Sequence, residues 1–184
     1  SGLFEHEGAV GTGLRYQANV LRVSDDDYWK DFPRAVPQTT PRLLPTDLRA
    51  ERPIDTWLGP GQVYGRLQQW QVLQSTDPNG AITAPYQRSP QVGLRIAPAL
   101  PPAWRGSLET EVNRFTRSDG LASATLPTGW RWHAVGQISR PWTAPGWWLT
   151  PKVAFNAASY ALDEAPLGQS RSPSRVIPTL SLDG

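Results

Sequence analysis

The sequence predicts an all-β fold: an antiparallel up-and-down meander of about eight strands, forming the wall of an outer-membrane β-barrel. Three observations carry the prediction. Stretches of alternating apolar and polar residues recur along the chain, each long enough to cross a bilayer as a tilted strand of about 9–11 residues. The connections between them are by turns short and long, as a barrel with turns on one side and loops on the other requires. The 19 prolines and 16 glycines punctuate all 184 residues and leave little room for helices. No run approaches the roughly 18 apolar residues of a transmembrane helix, and a hydrophobic content of 39% suits strands that are polar on one face.

In chain order, strands are expected near 12–23, 41–49, 62–74, 89–97, 106–117, 128–139, 148–160 and 175–183, and the first six residues are expected to end an earlier strand. The first strand carries Arg15, Gln17 and Asn19 on one side of its alternation. In 89–97, Val92, Leu94 and Ile96 alternate with Gln91 and Arg95. The clearest stretch is 106–117, where Leu108, Thr110 and Val112 face one way and Glu109, Glu111 and Asn113 the other, because successive strand side chains point to opposite faces. In 128–139, Arg131 and His133 alternate with Ala134 and Ile138, and Val153 and Phe155 extend the apolar set into 148–160. The apolar set is expected on a convex lipid face, since Arg or Lys there costs about 2–4 kcal/mol at the bilayer midplane. The residues expected to face a watery, concave lumen are Arg15, Gln17, Asn19, Arg95, Glu109, Glu111, Asn113, Arg131 and His133, with Gln91 beside them.

Connections near 7–11, 50–61, 98–105 and 140–147 are mostly short or rich in Pro, Gly and Trp, whereas those near 24–40, 75–88, 118–127 and 161–174 are more polar. The first set is expected on the periplasmic side, with 50–61 its exception by length. Trp57, Trp104, Trp142, Trp147 and Trp148 fall in or beside that set. Tyr28, Trp29, Trp70, Phe115, Trp130 and Tyr160 fall nearer the other strand ends. Two aromatic bands are what interface-seeking rings form, with Trp104, Trp142, Trp147 and Trp148 in one and Tyr28, Trp29 and Tyr160 in the other. Two other architectures fit the same pattern: a secreted β-sandwich whose tryptophans fill a core or line a carbohydrate-binding groove, and a small autonomous eight-stranded membrane barrel.

The 18 basic and 16 acidic residues are spread without a basic block, which argues against nucleic acid as a partner. The lack of cysteine removes disulfides and thiolate chemistry and leaves the redox compartment open. The lack of methionine points to a processed product or an excised fragment, with no signal peptide at Ser1-Gly-Leu-Phe. Asp25, Asp26, Asp27 and Asp31 cluster without the ligand spacing or turn glycine of a calcium loop, so a solvated surface loop is the expected reading. His6 and His133 stand far apart with no Cys or Glu at metal-ligand spacing. No nucleophile elbow is present, and neither Gly59-Pro60-Gly61 nor Gly11-Thr12-Gly13 matches a phosphate-cradling pattern, so neither catalysis nor a cofactor is expected.

Read in order, Arg22-Val-Ser-Asp-Asp-Asp-Tyr-Trp-Lys-Asp-Phe, Gln69-Trp-Gln-Val-Leu-Gln, Ala84-Pro-Tyr-Gln-Arg-Ser-Pro-Gln-Val-Gly-Leu, Gln137-Ile-Ser-Arg-Pro-Trp-Thr-Ala-Pro-Gly-Trp-Trp-Leu-Thr-Pro-Lys and Ser174-Arg-Val-Ile-Pro-Thr-Leu-Ser-Leu-Asp-Gly span nearly the whole chain. Together these blocks resemble the carboxy-terminal barrel of the lipopolysaccharide-assembly outer-membrane proteins, the LptD (OstA) family. The resemblance implies a curved, open, internal segment of a large transmembrane β-barrel of about 26 strands. It also implies lipopolysaccharide, a plug lipoprotein and outer-membrane lipid as partners, in the outer membrane of a Gram-negative bacterium. The segment would lack the periplasmic domain, the gate-forming first and last strands and the family's disulfide cysteines, so residues 1–184 form no complete autonomous domain.

Overall fold

The computed structural model describes residues 2–11, 13–24, 43–73, 84–117, 127–164, 168 and 170–184. Ten strands run in chain order: β1 (Gly2–Val10), β2 (Leu14–Arg22), β3 (Leu43–Thr56), β4 (Gly59–Val72), β5 (Gln87–Ile96), β6 (Arg105–Thr116), β7 (Gly129–Ser139), β8 (Trp142–Ala144), β9 (Trp147–Leu162) and β10 (Ser174–Asp183). They form one antiparallel sheet in the order β1-β2-β3-β4-β5-β6-β7-β9-β10, with β8 paired to β9. Each strand pairs with the next in sequence, except that β7 pairs with β9 past the short β8. Among the described residues β1 pairs only with β2 and β10 only with β9, so the sheet they form is open at both edges. The single sheet corrects the sandwich reading, which needs a second sheet packed on the first, and the unpaired edges correct the small closed barrel.

Residues directly opposite one another in an antiparallel pair lie on the same face, so the register divides the side chains into two sets. Val63, Leu94, Thr110, Ala134, Ala157 and Val176 form one apolar row across β4, β5, β6, β7, β9 and β10. Ile96 and Leu108 follow in the same face, as do Ile138, Val153 and Leu180. Arg95 and Glu109 are opposite each other on the other face, and so are Glu111 and His133. Little is buried by packing: Val23, Leu44 and Leu73 form a small cluster with Leu21, while Val92, Val112, Ile138, Val153 and Leu180 are exposed. A wide apolar surface of this kind needs a medium to cover it.

Six prolines stand inside strands, and their positions follow from the missing N–H. Pro45 and Pro53 lie just outside the Thr46–Glu51 stretch of β3 that pairs with β2. Pro60 and Pro151 each precede the residue where pairing to β5 or β7 begins, and instead offer their carbonyls to Ala97 and Arg140 at 2.9 and 3.2 Å. Pro90 sits in the irregularity between Arg88 and Gln91, and Pro178 is on the edge strand β10. Proline is tolerated in sheets at such positions, where no ladder donor is lost. Beyond Thr46 the Gln71 amide takes over from β3, donating to the Val23 carbonyl at 2.8 Å and accepting from the Val23 N–H at 3.2 Å.

The four short connections lie at one end of the sheet, and the strand ends that lead into the four longer ones lie at the other. The expected strands are present, with three corrections. The span 50–61 is no long connection: β3 continues to Thr56 and β4 begins at Gly59, leaving only Trp57 and Leu58 to turn. Its Glu51, Pro53 and Asp55 read as loop although they stand on the polar face, where a strand tolerates charges, and Arg52 stands opposite Val63 on the apolar face. The span 7–11 belongs mostly to β1, whose Gly8 leaves room for the ring of Tyr16 opposite it. A Cβ there would stand 2.7 Å from the Tyr16 hydroxyl oxygen. Within 140–147, β8 resumes the register of β7 against β9, with Ser139 opposite Lys152 and Trp142 opposite Leu149, before Pro145-Gly146 turns with φ +85° at Gly146.

Candidate functional site

The nine residues expected to face water are brought onto one face of the sheet. Arg15, Gln17 and Asn19 of β2 stand opposite Glu51, Arg49 and Asp47 of β3. Arg95 of β5, Glu109, Glu111 and Asn113 of β6, and Arg131 and His133 of β7 continue the same face. Trp142 and Trp147 belong to the opposite, apolar face, Trp148 is opposite Thr143 on the polar face, and all three cluster at the short-turn end with Trp104. Tyr160 stands opposite Arg131 near the long-connection end of β9. Tyr28, Trp29 and the Asp25–Asp31 cluster lie outside the described residues.

Two networks organise the polar face. In the first, the Asp47 carboxylate is held by two guanidiniums. Arg66 donates to its two oxygens at 2.9 and 2.6 Å, and Arg49 at 3.2 and 2.7 Å. Arg49 and Arg66 are directly opposite each other in β3 and β4, so without the carboxylate between them two like charges would face across the ladder. The Asp47 side chain is 17% exposed, which shields these charge-assisted bonds from solvent.

In the second network, the Tyr64 hydroxyl lies between two carboxylates, 2.9 Å from Glu109 and 3.0 Å from Glu111. Glu111 also accepts from the side-chain amides of Gln91 at 2.9 Å and Asn113 at 2.8 Å. Arg95 closes the group, 3.2 Å from Glu109 and with its guanidinium 4.3 Å from the centre of the Tyr64 ring. His133 meets the Asn156 amide oxygen at 3.0 Å through Nε2. Beside these groups an open cleft of about 650 Å³ is lined by Arg15, Arg49, Glu51, Tyr64, Arg66 and Arg95. The face therefore presents hydrogen-bond donors and acceptors and side chains of both charges.

Sequence reasoning missed Asp47, Arg49, Tyr64 and Arg66. The signal was present in the alternations Asp47-x-Arg49-x-Glu51 and Gln62-x-Tyr64-x-Arg66-x-Gln68, but the first ran into the supposed connection at 50–61. His6, weighed as a metal ligand, lies on the apolar face, its ring stacked between Phe4 at 6.1 Å and Tyr16 at 5.4 Å.

At the long-connection end, beyond the strands, Asp163 is exposed and accepts bonds at 2.8 Å from both Nη1 and Nη2 of Arg114 and at 2.6 Å from the Thr128 hydroxyl. The Arg114 bonds, with Thr128 second, hold the Asp163 carboxyl below the usual carboxylate range. Tyr86, Phe115, Trp130, Tyr160 and Leu162 line a second cleft of about 390 Å³ at this end.

Comparison with known proteins gives a consistent result. The family model described as LPS transport system D (LptD) matches residues 2–184. The LPS-assembly protein LptD of Paracidovorax citrulli is 37% identical over 190 residues, covering 97% of this chain and 22% of that protein. The LPS-assembly protein LptD of a Polaromonas species is 35% identical, covering 98% of this chain and 22% of that protein. For that of Albidiferax ferrireducens the values are 36%, 93% and 20%. The chain spans about a fifth of the length of these curated relatives. A match over residues 2–184, on an open antiparallel sheet with one polar and one apolar face, makes this chain a member of the LPS transport system D family.

Proposed function

We propose that this chain is an internal wall segment of an outer-membrane β-barrel that assembles lipopolysaccharide in the outer leaflet. The apolar face meets membrane lipid and the polar face lines a hydrated lumen. The observation that carries this reading is the division of one sheet into two chemically opposed faces within a segment that matches the family over residues 2–184. The lumenal role of Arg15, Gln17, Asn19, Arg95, Glu109, Glu111, Asn113, Arg131 and His133 is to hydrate the passage and meet the anionic sugar head group or the plug lipoprotein. Binding and passage account for this role without covalent chemistry. The segment completes its edges with strands of the same barrel and is no autonomous domain.

The test is an epitope tag placed within 24–40 of the intact parent protein. Surface labelling of whole cells, together with loss of surface lipopolysaccharide when the parent protein is depleted, supports the reading. Labelling only after permeabilisation inverts the orientation, and a soluble periplasmic product overturns membrane insertion.

A further inference from the structure

Arg140 is a cation on the apolar face. It continues the alternation of Gly136 and Ile138 on β7, and its N–H donates to the Pro151 carbonyl at 3.2 Å, which keeps it in register with β9. Its guanidinium lies 5.5 Å from the centre of the Trp104 ring and 5.5 Å from that of Trp142, and both rings are exposed. Two aromatic contacts engage the guanidinium by attraction to the ring quadrupoles, while its five N–H donors require acceptors. Among the described residues no carboxylate lies within ion-pair distance of Arg140.

Arg114 provides the internal contrast. It too belongs to the apolar face, and it too sits by a tryptophan, 5.7 Å from the Trp130 ring, but at the long-connection end. There the fold supplies its anion: Asp163 closes the guanidinium edge with two 2.8 Å bonds. At the short-turn end the same arginine–tryptophan device is built without an internal anion.

We propose that Arg140, held between Trp104 and Trp142, binds the phosphate of a membrane phospholipid headgroup at the short-turn end of the sheet. The inference rests on the reading that the apolar face meets lipid. A phosphodiester oxygen pair matches the planar fork of the guanidinium, and the flanking indoles seek the depth at which headgroup phosphates lie. The acyl chains of that lipid then run along Ile138, Val153 and Leu180, which are exposed on the same face.

The test uses the intact parent protein, purified in detergent and given either palmitoyl-oleoyl phosphatidylglycerol or the phosphate-free monogalactosyl diacylglycerol, with retained lipid counted by native mass spectrometry. Wild type is expected to retain the phosphatidylglycerol selectively. Arg140→Gln is expected to weaken retention about tenfold, Arg140→Lys to restore most of it, and Arg114→Gln to leave it unchanged. Equal retention by Arg140→Gln and wild type, or equal retention of the phosphate-free lipid, each overturns the proposal. Nitroxides at Leu108→Cys and Val153→Cys, tested for collision with oxygen in vesicles, report separately whether the face meets lipid. Oxygen-accessible labels with unchanged Arg140→Gln retention refute the phosphate site alone, and water-exposed labels refute the lipid-facing reading itself.

Discussion

The ring of Tyr64 lies across Gly93, its direct partner in the β4–β5 register, in space that any side chain on Gly93 would occupy. The glycine is therefore part of the Tyr64 site: it lets the ring lie flat over the sheet so that its hydroxyl reaches both Glu109 and Glu111. Gly136 serves Phe155 in the same way on the apolar face. Replacing Gly93 by Ala is expected to displace the Tyr64 ring and cost about 1–3 kcal/mol, the usual cost of overpacking. Denaturation of the intact parent protein measures it, and a change within about 0.5 kcal/mol would show that the ring does not depend on the glycine.

Arg49 and Arg66 share one carboxylate, so the two ways of breaking the group differ. Asp47→Asn leaves two guanidiniums facing each other and is expected to cost about 3 kcal/mol, in the range for breaking a shielded ion pair. Arg49→Gln leaves the Arg66–Asp47 pair intact and is expected to cost about 1 kcal/mol or less, since the Arg49 side chain is 53% exposed. The ranking, measured by denaturant unfolding, checks the assignment of Asp47 as the hub.

The two faces make opposite predictions for the same substitution. Ile138→Arg places a charge on the apolar face and is expected to lower the yield of membrane-inserted, heat-modifiable protein, at a cost of about 2–4 kcal/mol if the site is near mid-bilayer. Val135→Arg, three residues earlier and opposite Glu109 on the polar face, is expected to insert normally.

Asp163 should make stability depend on acid. Because bonds from Arg114 and Thr128 lower its value in the folded state, its contribution is fully present above the ordinary aspartate value of about 3.9 and is lost as pH falls through the lower folded value. The melting-temperature difference between wild type and Asp163→Asn is therefore expected to be constant from neutral pH to about 5 and to close below about 4. A difference that instead closes near neutrality would place the linkage elsewhere.

Ala103 adopts φ +73° in the turn between β5 and β6, where the Trp104 N–H donates to the Pro101 carbonyl at 3.1 Å. A Cβ is disfavoured in this left-handed region, so Ala103→Gly is expected to stabilise the turn by up to about 1 kcal/mol, read as a rise in melting temperature.

Much of this fold was legible because period-two alternation survives wherever one face meets water, as in Leu108-Glu109-Thr110-Glu111-Val112-Asn113. Legibility failed where the residue types imitate a loop. Glu51, Arg52, Pro53 and Asp55 extend β3, with Arg52 standing on the apolar face, and Gly8 belongs to β1 because its partner Tyr16 fills the space above it. The side on which each site residue lies follows from parity alone. Its partners do not: Tyr64 meets Glu109 and Glu111, 45 and 47 residues away, only because the registers of β4, β5 and β6 bring them together.

The placement of Pro45 and Pro53 has a mechanical consequence. They bracket the β2–β3 seam, which holds six register pairs, against nine for β1–β2 and fourteen for β3–β4. A load pulling neighbouring strands apart would part the sheet at this short seam first, with the β1–β2 hairpin swinging as one flap and the Gln71–Val23 staple as its last latch.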